Sequence, residues 1–119
     1  MFIIDDTGNV TLTRGDSFRV PLFINKGTEL KPIRKELGDN DFVYLGIMEP
    51  NQPFEKALIR KKYDKNSEKT DDGDIIVKLG HSDTVQLLPG KYFYQVKFVN
   101  EVEDIVDTII DKKEFIIAE

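Results

Sequence analysis

A chain of 119 residues with 39% hydrophobic and 33% charged residues suits one domain, 1–119, with a single core. Seventeen Lys and Arg against 22 Asp and Glu give a net charge of −5. That balance argues against a nucleic-acid partner, whose phosphates demand a basic face. With no Cys there is no disulfide, thiolate nucleophile or thiolate-ligated metal, and no apolar run approaches the roughly 18 residues of a membrane helix.

In chain order, Phe2–Ile4 and Val10–Thr13 are short strands flanking a turn at Asp6-Thr7-Gly8-Asn9. The opening residues lack the basic and apolar regions of a signal peptide, so secretion by that route is not expected. Ser17–Ile24 alternates, with Phe18, Val20, Leu22 and Ile24 in phase, and Pro21 marks it as an edge strand or a bulge. Residues 25–40 read as an exposed loop. Phe42–Met48 is apolar in both phases, as in a central strand covered on both sides. A hairpin turn at Asn51-Gln52-Pro53 leads into Phe54–Tyr63, where alternation of Ala57, Ile59 and Lys61 favours a strand over a helix. After the polar loop 64–73, Asp74–Leu79 alternates again. Ser82–Leu87 forms one helical turn, capped by Ser82 or Asp83 and ended by Pro89-Gly90. Lys91–Val99 is the strongest strand, with Tyr92, Tyr94, Val96 and Phe98 in phase. Ile105–Ile110 and Glu114–Ile117 read as two strands joined by an Asp-Lys-Lys turn.

Seven or eight short strands separated by turn signals predict an all-β sandwich. Val20, Leu22, Val43, Leu45, Ile47, Val77, Tyr94, Val96 and Phe98 are its expected core. Tyr92, two residues after Pro89-Gly90, sits where a tyrosine corner returns its hydroxyl to the preceding turn, with Tyr94 as the second candidate.

Motifs that carry chemistry are weak. Arg14-Gly15-Asp16 spells an integrin-binding tripeptide but reads as a turn between strands. His81, Ser82 and Asp83 are the residue types of a hydrolase triad, yet consecutive residues cannot align nucleophile, base and orienter. His81 is the only His, which leaves no His-based metal site. The acidic clusters Asp5-Asp6, Asp39-Asn40-Asp41 and Asp71–Asp74 offer oxygen ligands, but none follows the calcium-loop spacing, and Lys69 stands where that loop needs Gly after Asp64, Asn66 and Glu68. No catalytic, cofactor or metal residues are assigned, and no enzyme activity is expected. The segment Met48, Pro50, Asn51, Gln52, Pro53 and Phe54 is the candidate partner-binding surface. Its two prolines pre-set the backbone, and its apolar ends exceed what a solvated turn needs.

The stretches Thr11–Phe18, Pro21–Asn25, Tyr44–Phe54, Asp72–Leu79, the Asp83-Thr84…Leu88-Pro89-Gly90-Lys91-Tyr92-Phe93-Tyr94 centre and the closing Asp107–Ile110 and Glu114–Ile117 together resemble the small β-sandwich proteins of Firmicutes prophages. They are similar to the N-terminal domain of phage baseplate upper proteins. The resemblance implies an immunoglobulin-like antiparallel β-sandwich that serves as a structural module of the tail or baseplate, made in the bacterial cytoplasm and carried in the virion. Its partners would be other tail or baseplate proteins or a second copy, with no membrane involved. Residues 1–119 show no stretch like the family's linker helix or receptor-binding extension, so an adaptor role is expected rather than receptor binding. The alternative is a bacterial carbohydrate- or ligand-binding sandwich; such modules stack sugar rings on exposed aromatics, often Trp, and this chain has none.

Overall fold

The alternating segments pair into two sheets in a computed structural model that describes residues 2–119. Strands β1 (Phe2–Ile4), β2 (Val10–Thr13), β4 (Asp41–Met48), β5 (Ile59–Tyr63), β7 (Gly90–Asn100) and β8 (Ile105–Ala118) form a six-stranded sheet in the order β1-β2-β8-β7-β4-β5. The remaining strands, β3 (Phe18–Leu22) and β6 (Ile75–Leu79), pair with each other. Side chains from both sheets meet in one core that includes Phe18, Val43, Leu45, Ile47, Val77, Leu79, Val96, Phe98 and Phe115. Of the expected core, Val20, Leu22 and Tyr94 are half-buried and pack against that cluster. Phe18 stands edge-on to Phe2 and Phe115, with centroids 5.0 and 6.3 Å apart, which ties the first strand to the last.

Three features depart from the sequence reading. The large sheet is mixed, because β2 runs parallel to β8, with Val10 opposite Phe115 and Thr13 opposite Ala118. Second, the Asp-Lys-Lys segment is no turn. β8 continues through it for 14 residues, and the pairing with β7 shifts between Tyr94 and Val96 and again between Val96 and Lys97. The shifts are β-bulges, which absorb extra residues without ending the strand. Asp111 anchors one, accepting hydrogen bonds from the Gln95 amide at 2.9 Å and the Lys112 N–H at 2.8 Å. β2 covers β8 only from Phe115 onward, so Asp111 and Lys112 stay in solvent. Third, Phe54–Tyr63 divides into a 3-10 turn, Phe54–Lys56, and the strand β5.

Local chemistry explains the rest. α1 (His81–Thr84) begins one residue before the expected turn, with Gly80 as its N-cap. Neither Ser82 nor Asp83 caps it. Asp83 is its third residue and accepts the Gly80 N–H at 2.9 Å. The Ile76 N–H turns to the Glu68 carbonyl at 3.0 Å, away from β3. Its neighbour Pro21 therefore faces the free edge of β3, where no ladder hydrogen bond is lost to the missing N–H. At the start of β7, the Tyr92 hydroxyl donates to the Leu88 carbonyl at 2.7 Å. Tyr94 instead donates to the Gly8 carbonyl across the sheet, holding the β1–β2 turn, and burial raises the pKa of its phenol.

Candidate functional site

The six-stranded sheet is packed by β3 and β6 on one face only, and the other face carries a distinct set of side chains. Alternation along β4 sends Val43, Leu45 and Ile47 to the core and Phe42, Tyr44, Gly46 and Met48 outward. Pairing places Lys62 and Lys97 on either side of Tyr44, and Arg60 and Gln95 on either side of Gly46. The ammonium of Lys62 lies 4.1 Å from the Phe42 ring centre and 5.8 Å from that of Tyr44. Arg60 and Lys97 each lie 4.9 Å from the centre of Phe54. These cations are drawn to the negative ring faces. Among the described residues, none of the three makes an ion pair with a carboxylate. An acidic protein thus gathers three uncompensated cations and three half-buried rings on one sheet face.

The segment 48–54 closes this face at one end. Gln52 donates its N–H to the Glu49 carbonyl at 3.1 Å, and Asn51 has φ 64°. Pro50 before a residue of positive φ is the pattern of a type II turn. Lys112 reaches across from β8 to the Gln52 carbonyl at 3.0 Å, and Arg60 holds the Phe54 carbonyl at 3.0 Å. Pro50, Asn51 and Pro53 are exposed, Gln52 and Phe54 half-buried, and Met48 fully buried. Met48 therefore offers a partner no surface of its own.

Gly46 makes the arrangement possible. A Cβ built there would lie 2.5 Å from Cε2 and 2.8 Å from Cδ2 of Phe54, so only glycine lets the ring lie against the strand. The sequence reading overlooked Gly46, Lys97 and the aromatic role of Lys62. A lone Gly inside an otherwise apolar strand was the signal for close approach. The cluster Arg60-Lys61-Lys62 was visible, but strand alternation separates it: Lys61 turns from its neighbours and pairs with Asp83 at 3.0 Å.

The other motifs are engaged in turns. Gly15 has φ 86°, and the Arg14 Nε donates to the Val85 carbonyl at 2.9 Å. His81 Nδ1 lies 2.6 Å from the Gly15 carbonyl, and the Thr84 hydroxyl donates to the Asp16 carbonyl at 2.8 Å. Arg14–Asp16 is thereby fastened onto α1, and His81 and Asp83 point to separate partners. Asp5 accepts from the Thr7 hydroxyl and from the N–H groups of Thr7 and Asn9, which hold its pKa below the usual carboxylate range. Asp39 pairs with Lys65, Asp74 with Arg34, and Asp41 accepts from Gly38 and Asn100. Among the described residues no three acidic or His side chains gather as a metal site would require.

Comparison of the chain with protein-family models, curated proteins and solved structures finds no match.

Proposed function

We propose that the chain is a non-enzymatic structural module of a phage or prophage tail or baseplate, built on an immunoglobulin-like sandwich, that works by protein–protein contact through the outer face of its large sheet. The phage setting rests on the sequence resemblance alone. The immunoglobulin-like reading draws support from strand order: β8-β7-β4-β5 opposite β3-β6 corresponds to an extended sheet facing a B–E pair. The Tyr92 hydroxyl bond at the start of β7 fits the corner of such folds. The parallel β2 departs from the antiparallel pattern.

The observation that carries the contact reading is Phe54, held over Gly46 between two cations on a face that no other layer covers. A segment ordered by its own turn, by Lys112 and by prolines binds with little loss of freedom. The test is induction of the prophage followed by immunoblotting of purified virions. The chain is expected to sediment with tails, and Phe54→Ser is expected to reduce its incorporation while the purified variant melts within a few degrees of the parent. Absence of the chain from intact virions overturns the proposal. So does saturable binding of a glycan that requires Phe42 or Tyr44, the outcome expected of a carbohydrate module.

A further inference from the structure

The outer face has a charge opposite to that of the whole chain, and the chain carries a complement to it. The turn joining β7 to β8 reads Glu101-Val102-Glu103-Asp104. All four residues are exposed, Val102 at 73%, and none of the three carboxylates pairs with a cation among the described residues. The turn is also pre-shaped. Glu101 donates its N–H to the Asn40 carbonyl at 3.2 Å, Glu103 donates to the Asn100 side chain at 2.8 Å, and Asn100 in turn donates to Asp41 at 2.7 Å.

Resting on the reading of the outer face as a contact surface, we propose that this turn of a second copy of the chain docks there. Three carboxylates would meet Arg60, Lys62 and Lys97, and Val102 would pack on the rings of Phe42 and Tyr44. Within one chain the turn leaves these cations alone: Glu101 is four residues from Lys97 along an extended strand, about 13 Å, and none of the three carboxylates pairs with Arg60, Lys62 or Lys97 among the described residues. The face nonetheless begins close by, since Phe42 pairs with Val99, two residues before the turn. Donor and acceptor surfaces adjacent on one molecule suit a two-fold axis between them, so that each copy gives its turn and receives its partner's. The pair closes with no free surface left to propagate. Exposed charges dominate the contact, which makes it weak and sensitive to salt.

Sedimentation velocity on the purified full chain tests the inference. A doubled mass is expected at about 50 mM NaCl and a monomer at about 500 mM, where screening shortens to a few ångströms. Lys62→Glu and Glu103→Lys, both exposed, should each weaken association about tenfold, and their combination should restore it to within about threefold. Circular dichroism melting checks that each variant remains folded. A monomer at low salt up to about 1 mM protein overturns the inference, as does a dimer indifferent to both reversals or unrescued by their combination. A monomer that binds a polyglutamate peptide overturns it too, by assigning the face to an acidic partner of another kind. A chain that stays monomeric yet enters virions leaves the structural-module reading standing, whereas a salt-sensitive dimer absent from virions overturns that reading and keeps this one.

Discussion

The two faces of β4 are built from one stretch of eight residues, yet they follow different rules. The inner face, Val43, Leu45 and Ile47, is sealed by β3 and β6 and is at most 4% exposed. The outer face, Phe42, Tyr44, Gly46 and Met48, has no second sheet. There the Lys62 ammonium lies over Phe42, and the Phe54 ring, delivered from the segment that follows the strand, lies against Gly46 with the charged heads of Arg60 and Lys97 over it. Cations are drawn to the negative faces of such rings. An apolar strand therefore does not require a second layer on both sides, and a face finished in this way remains available to a partner.

Truncation should cost most at the inner face. Leu45→Ala should cost about 2–4 kcal/mol by denaturant midpoint, the range for a large side chain deleted from a packed core. Tyr44→Ala, its outward neighbour, should cost less than half as much. Equal losses would mean that the outer face is a second core. Next in size, Gly46→Ala should cost about 1–2 kcal/mol through overpacking against Phe54. Most of that cost should vanish in a Phe54→Ala background, so the double-mutant cycle reads the ring contact directly. Tyr92→Phe should cost about 1 kcal/mol, one hydrogen bond to the Leu88 carbonyl, with no effect on self-association.

The smallest effect concerns pH. Hydrogen bonds from Arg19 and then Lys78 hold the Glu68 carboxyl below the usual glutamate range. The folded chain then binds fewer protons there than the unfolded chain, so stability rises with pH through that range. The contribution is present above the ordinary glutamate value, about 4, and is lost as pH falls through the lowered folded value. Acid titration of Glu68→Gln, followed by thermal melting, should show a slightly flatter fall below about pH 4 than the parent. An identical fall in both proteins would show that the exposed ion pairs add nothing.

Much of the strand content was legible because alternation is local: Asp74–Leu79 and Tyr92–Phe98 each declare an apolar phase within a few residues, whereas Phe42–Met48 is apolar in both phases and its core side had to be settled by packing. Pro21 could be assigned to an edge strand or a bulge for a similar reason, since a missing N–H is a property of the residue itself. Tyr92 was legible because its hydrogen-bond partner lies only four residues away. The parallel pairing of β2 with β8 was not, because alternation records which side of a strand is apolar and carries no information about its neighbour or direction. Asp111-Lys112-Lys113 resembles a turn by composition, yet tertiary pairing kept it in β8, where bulges absorb the mismatch and an open edge leaves the charges in water. The outer face depended most on tertiary structure. Gly46, Phe54, Arg60 and Lys97 come from three strands and a turn, and the ring reaches its cations only once those strands are in register. Residue types and periodicity determined the strands and their apolar sides; long-range pairing decided which side chains meet, because contacts across a sheet join residues whose separation along the chain leaves no local trace.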